Sequence, residues 1–272
     1  MYLTDFVYDG VKLSSLGYLV GSAVTSNNQS ASAGSKLELQ TVTNHGSHLT
    51  GIVNATYSEN ITATFDIIKF TCNDNTSVNM EDNEIASMVR WLNRKEWHRF
   101  QPIYNDLAFP NVFYNGTFTD ISEIMMGGNV VGLTLTFTSN APYGFLDFED
   151  NDFTVSSVGG SFIVYDESDE LGNHYPEKFI ITTTAGGNLS LTNSLNAKTT
   201  INNCVANEKI TLDCINKIIT SDKEHPHLYN DFNYVYPMLT NTINDSKNIF
   251  TSTLPCSIQI EYKPIRKVGI IV

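Results

Sequence analysis

The chain has 272 residues, of which 41% are hydrophobic and 17% are charged, so it can bury one large β core or two ordinary domains and is not disordered as a whole. Its formal net charge of −13 argues against nucleic acid or an anionic membrane as a direct ligand, because phosphate binding needs clustered lysine and arginine side chains. The first residues contain no basic segment followed by an apolar stretch, and no run approaches a membrane-spanning length, so neither a secretory signal nor a membrane span is predicted.

Short strands and polar turns are predicted along most of the first half of the chain. The opening segment DFVYDGVKLSSLGYLV predicts a β-hairpin, because Asp9-Gly10 is a turn signal between apolar runs. LELQTV and ITATFDIIKF continue the strand pattern. IMMGGNVVGLTLTF predicts a second hairpin with its turn at Gly127-Gly128-Asn129. The apolar side chains expected on one face of this hairpin are Leu133, Leu135 and Phe137.

One helix is predicted between these strands. Four apolar residues recur with the spacing of a single helical face and are expected to cover a sheet: Ile85, Met88, Val89 and Leu92. Asn79 is the expected N-cap, with acidic residues in the first turn and basic residues near the end, as the helix dipole favours. Trp91 and Trp97 lie beside or just beyond this face. They either fill the core or anchor a protein interface.

The composition changes at NAPYGFLDFEDNDF, where Asn, Pro and Gly interrupt the periodicity and acidic residues follow. We place a domain boundary near residue 146, which gives domains 1–146 and 147–272. Five short runs separated by polar turns predict an antiparallel sandwich for the second domain: KFIITTT, NLSLTN, KTTINN, KITLDCINKII and CSIQIEYKP. The apolar run after Pro264 is a candidate to pack back on the first domain.

The sequence contains no lysine or arginine between Arg99 and Lys178, although many acidic residues lie there. One interpretation is a solvated acidic linker. The other is a surface that must repel an anion.

The sequence lacks the motifs of dinucleotide binding, phosphate loops, serine hydrolases and zinc proteases. The close pairs His45/His48 and His225/His227 are interpreted as surface loop residues rather than metal ligands. The pair Asp166/Glu167 is interpreted as part of a solvated turn. No catalytic residue, cofactor-binding residue or metal ligand is therefore assigned, and the protein is not expected to be an enzyme.

Two further patterns leave alternatives open. Cys204 and Cys214 fit opposite positions of a hairpin, but the spacing of the 4 cysteines favours free, buried thiols. Phe232, Tyr234 and Tyr236 alternate as on one face of a strand. Such a face either stacks a sugar or packs in the core.

The order of these features resembles the distal tail protein family of long-tailed bacteriophages. The resemblance covers nearly the whole chain and rests on FVYDGVKLSSLGYLV, a helix ending in WLN, a hairpin closing on LTFTSNAPYGF, and then YPEKFIITTT, KITLDCINKIITS and YPMLTNTIND. It implies a mainly β protein with two domains. The first is an N-terminal β-sandwich with one α-helix and a β-hairpin, and the second is a galectin-like antiparallel β-sandwich.

The resemblance also implies a structural, non-enzymatic role without cofactor or metal. Such a protein is made in the cytoplasm of the bacterial host and forms a hexameric ring at the virion tail tip. The ring joins the tail tube protein to a tail-tip or baseplate hub protein, lets DNA pass, and can hold a receptor-binding protein. The alternative is a tail component that binds host cell-wall carbohydrate. Four cations around the helix are candidate subunit contacts, expected to lie outward and free to pair: Arg90, Arg94, Lys95 and Arg99.

Overall fold

The computed structural model describes residues 2–21, 30–31, 34–43, 46, 49–69, 79–106, 111–147, 149–194 and 197–271. It divides the chain into two compact units. The first comprises Met1–Leu146 together with Arg266–Val272, and the second comprises Asp147–Ile265. The mainly β class with two domains is confirmed. The galectin-like character of the second domain stays a prediction.

The first unit consists mainly of one sheet and one helix. The helical segments are a 3-10 helix at Leu13–Leu16 and α1 at Asp82–Leu92. The strands are β1 Leu3–Tyr8, β2 Val11–Lys12, β3 Tyr18–Val20, β4 Ser30–Ala31, β5 Leu37–Thr43, β6 Thr50–Tyr57, β7 Thr62–Lys69, β8 His98–Tyr104, β9 Tyr114–Met126, β10 Asn129–Ser139 and β11 Gly144–Phe145. The 8-stranded main sheet has the antiparallel order β2-β1-β8-β9-β10-β7-β3, and β4 also pairs with β7.

Both predicted hairpins of this unit are confirmed. Asp9 and Gly10 have φ of 50° and 77°, as a two-residue turn that follows the strand twist requires. Gly127 and Gly128 have φ of 59° and 86° and connect β9 to β10. Glycine adopts such angles without strain and aspartate tolerates them better than most residues, which explains the positions of both turns.

The core of the first unit is aromatic. Phenylalanine rings from five strands of the main sheet lie in one cluster: Phe6, Phe65, Phe100, Phe118 and Phe137. The closest pair, Phe100 and Phe137, has ring centroids 4.3 Å apart. Leu133, Leu135 and Phe137 are all fully buried on one face of β10, as predicted.

The last residues of the chain complete this core. Ile270 is fully buried within the first unit. The Tyr114 hydroxyl donates a 2.9 Å hydrogen bond to the Val268 carbonyl, and the Ile271 N–H donates to the Tyr104 hydroxyl at 3.3 Å. The first unit therefore contains segments from both ends of the sequence.

Two positions on α1 differ from the expectation. The N-cap is Glu81 and not Asn79, since the Glu84 carboxylate accepts a 2.9 Å hydrogen bond from the Glu81 N–H and so stabilises this start. Val89 is 39% exposed, so its assignment to the buried face is wrong. Met88 and Leu92 are buried, and Ile85 is partly buried against the core. The helix therefore packs on the core through Ile85, Met88 and Leu92, and Val89 lies outside this contact.

The second unit contains two antiparallel sheets that face each other. Its strands are β12 Glu149–Val155, β13 Ser161–Tyr165, β14 Gly172–His174, β15 Lys178–Thr183, β16 Gly187–Asn193, β17 Lys198–Cys204, β18 Lys209–Asp213, β19 Ile218–Ser221, β20 Leu239–Asn241, β21 Lys247–Ser252 and β22 Cys256–Tyr262, and α2 spans Leu228–Asp231. A 5-stranded sheet has the order β12-β22-β15-β18-β19, and a 4-stranded sheet has the order β13-β21-β16-β17. The chain then passes through β23 Ile265–Arg266.

Side chains from both sheets share one core, so the predicted antiparallel sandwich is confirmed. Phe179 and Ile258 come from the first sheet, and Leu191 and Phe250 from the second. Three buried cysteines also lie in this core as free thiols: Cys204, Cys214 and Cys256. Cys72 lies outside the described residues, as do His45 and His48.

The expected aromatic face at residues 232–236 is wrong. Phe232 directly follows the short helix α2, and Tyr234 has a positive φ of 59°, so the segment is not a strand. Phe232 and Tyr236 are buried, whereas Tyr234 is exposed, because the chain turns between them. The three rings do not lie on one strand face, so this segment provides no flat platform for stacking a sugar.

Candidate functional site

Among the described residues of the first unit, a separate hairpin carries much of the exposed apolar surface. We call β5 and β6 the arm. Within the described residues its strands pair only with each other, and every described arm residue except Tyr57 is exposed. A lone two-stranded hairpin is at best marginally stable in water. The arm is therefore expected to be stabilised by packing against another surface.

The register of the arm separates a mostly apolar face from a mostly polar face, although Val42, opposite Gly51, lies on the polar side. Leu37 pairs with Tyr57, Leu39 with Ala55 and, after a β-bulge, Thr41 with Ile52. Residues two apart on a strand share a face, so these pairs form one mostly apolar face. The pairs between them, Glu38 with Thr56 and Gln40 with Asn54, form the polar face. Leu39 is 46% exposed and Ile52 is 64% exposed.

The base of the arm is attached to the rest of the first unit. The Tyr57 ring makes an edge contact with Tyr143 at 6.5 Å between centroids, and the Lys267 ammonium lies 5.5 Å from the Tyr57 centroid. Inside the arm, the Ser58 N–H donates a 3.0 Å hydrogen bond to the Lys36 carbonyl and extends the strand pairing at the base. These contacts fix the root of the arm while its apolar face stays in solvent.

A second apolar feature of the same unit is a hollow of about 560 Å³ beside α1. We call it the hollow. Its lining comes from β2, the 3-10 helix, β3 and α1: Val11, Leu16, Tyr18, Asn83, Glu84, Ser87, Met88 and Trp91. Val11 and Leu16 are exposed there. Burial, together with the Glu84 carboxylate, raises the pKa of Tyr18 to about 12, so its hydroxyl stays neutral.

The two tryptophans have different environments. Trp91 stacks on Phe6 and makes an edge contact with Tyr8, both at 6.0 Å between ring centroids. It therefore belongs to the core and also forms part of the hollow. Trp97 is 55% exposed just after α1, which leaves its ring available to another molecule.

Two of the four candidate cations already have partners within the chain. Arg94 Nη2 lies 2.9 Å from an Asp9 carboxylate oxygen, and this hydrogen bond lowers the pKa of Asp9. The Arg99 guanidinium lies over the Phe113 ring at 4.0 Å. The expectation that all four are free is therefore wrong for Arg94 and Arg99. A subunit contact stays a prediction for all four.

The remaining two cations, Arg90 and Lys95, are exposed, and neither has an ion-pair partner within the described part of the chain. Arg90 lies on α1 three residues after Ser87, which lines the hollow. Residues three apart on a helix are neighbours. Arg90 is therefore an exposed cation next to one residue of the hollow's lining on the helix surface.

The interpretation of Asp166 as a solvated residue is wrong. Its side chain is buried and accepts hydrogen bonds from the Ser168 N–H, at 2.9 Å, and from the Tyr262 hydroxyl. Burial, with the adjacent carboxylate, raises the pKa of Tyr262, so the phenol remains a proton donor. The acidic residues between Arg99 and Lys178 thus include a structural one.

The interpretation of His225 as a surface residue is also wrong. Its side chain is 3% exposed and lies between two carboxylates, with Nδ1 at 2.8 Å from Glu208 and Nε2 at 3.1 Å from Asp231. Burial alone would lower the pKa of His225, but the hydrogen bonds to both carboxylates outweigh it, and the pKa is raised. The His225 side chain therefore links Glu208, directly before β18, to Asp231 of α2 inside the second unit.

The described residues contain no group of three histidine, cysteine or acidic side chains placed to hold a metal ion. Among the helices of the described residues, none is long and apolar enough to cross a membrane. Two apolar features of the first unit are exposed to another molecule in the described residues: the arm and the hollow. The alternation of Leu37 and Leu39 with Glu38 and Gln40 was visible in the sequence, but the hollow was not, since it joins segments far apart in the chain.

Two family models match nearly the whole chain. The model described as a phage tail protein N-terminal domain matches residues 1–141, and the model described as a phage tail C-terminal domain matches residues 143–262. Among curated proteins, no relative matches the chain.

Two solved structures illustrate what the fold is similar to. The chain is 14% identical to the Dit protein of phage SPP1, which is described as a paradigm of the hub adsorption apparatus in phages that infect Gram-positive hosts. The match covers 96% of this chain and 99% of that chain, with a TM-score of 0.65. The phage P2 baseplate in its activated conformation with Ca gives 7% identity, 96% and 98% coverage and a TM-score of 0.48.

Proposed function

The chain belongs to the family of phage tail proteins, and we propose that it forms a hexameric ring at the distal end of the tail tube, at the tip of the virion tail. The resemblance to distal tail proteins is confirmed at the level of family and fold. In this role the ring joins the tail tube protein to a tail-tip or baseplate hub protein. The role is structural and not catalytic.

The observation that carries the proposal is the arm. A ring built by repeating one contact is heterologous, so each subunit must present two different patches. The arm is one such patch, because it protrudes with an apolar face that no part of the described chain covers. Exposed apolar surface of this kind marks a contact with another protein.

The second unit is a compact sandwich with its own core and can act as a separate module. We assign to it the outward position and the task of holding a receptor-binding protein. The likeness in fold to the SPP1 Dit protein, which belongs to a hub adsorption apparatus, supports a role in adsorption.

DNA passes through the ring in this proposal, and the charge of the chain is consistent with that task. The net charge is −13, and the stretch between Arg99 and Lys178 contains no cation. Carboxylates such as Asp120 and Glu123 are exposed on β9. A negative wall would keep the polyanion from adhering during its passage.

The proposal is tested by placing a charge on either face of the arm. Leu39→Asp introduces a carboxylate on the apolar face, and Gln40→Asp introduces the same charge one residue later on the polar face. Both positions are exposed in the isolated chain, so neither change should unfold it. Native mass spectrometry of the two full-length variants measures the assembly state.

The expected result is hexamers for the parent and for Gln40→Asp, and loss of hexamers for Leu39→Asp, because the carboxylate would be buried without a partner. Equal assembly of the two variants would show that the apolar face is not a subunit contact. A parent chain that stays monomeric at every concentration would overturn the ring itself.

A further inference from the structure

The arm of one subunit needs a receiving surface on its neighbour, and we propose that this surface is the hollow beside α1. This inference rests on the proposed ring and adds the identity of the contact. The occupant is a second copy of this chain, which inserts the apolar face of its arm, with Leu37, Leu39 and Ile52, between α1 and the 3-10 helix.

The two surfaces match in chemistry. The arm offers branched aliphatic side chains on one face, and the hollow is lined by aliphatic, aromatic and thioether groups such as Leu16, Met88 and Trp91. Burying such groups against each other removes apolar area from water at about 25 cal/mol per Å². A hollow of about 560 Å³ lies within the range of roughly 300 to 1,000 Å³ that is usual for pockets that enclose a ligand.

The rims of the two surfaces also match. The only carboxylate in the arm strands is Glu38, on the polar face of β5, so it stays on the solvent side when the apolar face enters the hollow. Arg90, next to Ser87 on the surface of α1, has no ion-pair partner in the described residues. Polar groups at an interface rim mainly set orientation and specificity. A Glu38–Arg90 contact would favour one direction of the arm across α1.

The contact is heterologous, as a ring requires. The arm and the hollow are different patches of the same unit, and the described residues leave each of them open. If every arm enters the hollow of the next subunit, all arms and all hollows are filled when the ring closes. This accounts for both apolar features with a single contact.

The test is disulfide cross-linking between the two surfaces in assembled, full-length protein. Leu39→Cys places a thiol on the apolar face of the arm, and Ser87→Cys places one in the exposed lining of the hollow. Cys72 is replaced by serine, and the native thiols described in the structure are buried. The matched control is Gln40→Cys with Ser87→Cys, which moves the arm thiol to the polar face.

After mild oxidation, the Leu39→Cys, Ser87→Cys chain should give a ladder of covalent oligomers, and the control should give at least ten-fold less. Mixing the two single-cysteine chains should give covalent dimers only. If electron microscopy shows rings but no cross-links form, the arm-to-hollow contact is wrong, whereas the proposed ring is still supported. A disulfide within one chain would also overturn it, since the arm would then fill its own hollow. Absence of rings would overturn the proposed function and this inference together.

Discussion

The packing of α1 predicts that Leu92→Ala strongly destabilises the first unit. Leu92 is fully buried between the helix and the aromatic core. Truncating a buried leucine to alanine costs about 2–5 kcal/mol, through lost burial and the cavity that remains. A loss of about 3 kcal/mol in a unit of this size lowers Tm by roughly 6–12 °C, at about 2–4 °C per kcal/mol.

The measurement is urea unfolding followed by tryptophan fluorescence. The chain contains 2 tryptophans, Trp91 and Trp97, and both belong to the first unit, so the signal reports the unfolding of that unit. The experiment is made in the Leu39→Asp background, because assembly would otherwise add to the apparent stability.

Val89→Ala is the matched control on the same helix. Val89 is 39% exposed, so the same kind of truncation should change the free energy of unfolding by no more than about 0.5 kcal/mol. Equal losses for Leu92→Ala and Val89→Ala would refute the assignment of the buried face of α1.

Three further outcomes are expected. Because the folded-state pKa of His225 is raised, its contribution to the stability of the second unit is complete below the ordinary pKa of about 6.5 and is lost as pH rises through the raised pKa. His225→Gln should therefore flatten this part of the curve of unfolding free energy against pH, measured by urea unfolding with circular dichroism. An unchanged curve would contradict this role of His225. Gly116→Ala should lower the free energy of unfolding by about 1–3 kcal/mol, because the added Cβ would overlap the Phe137 ring. Gly51→Ala is the control and should leave Tm nearly unchanged, since the atom nearest to its added Cβ is 3.8 Å away. Similar Tm values for the two variants would disprove the close packing of Gly116 against Phe137. Iodoacetamide should modify Cys214 only slowly in the native chain, since burial raises the pKa of its thiol to about 12, and rapid labelling in peptide mass spectra would contradict its burial.

Local sequence rules were sufficient for the turns and for the inward faces of strands. Asp9-Gly10 and Gly127-Gly128 need positive φ, which few residues adopt, so the sequence marks these turns directly. The alternation of Leu133 and Leu135 with threonines places one face of β10 in the core. These features depend only on residues within a few positions of each other.

Contacts between distant residues were not predictable in this way. Asp9 and Arg94 are separated by 85 residues, and His225 reaches Glu208 from another turn of the chain, so neither pair leaves a local pattern. A histidine in a polar, proline-containing segment has the composition of a loop even when tertiary contacts bury it. The exposure of Val89 likewise depends on the packing of α1 against the sheet and not on its helical spacing.

The arm shows a different limit of sequence reasoning. Leu37 and Leu39 alternate with Glu38 and Gln40, which is typical of a strand with one buried face. The same pattern describes a strand buried in its own domain and a strand that is buried only in an assembly. The distinction needs the structure, in which both faces of the arm are exposed.

The most direct test of the ring is electron microscopy of the purified, full-length chain at a concentration where native mass spectrometry detects assembly. Class averages should show closed rings with six-fold symmetry and a central opening, and Leu39→Asp should remove them. Particles of the parent that are only single two-unit molecules, or closed assemblies without a central opening, would contradict the account.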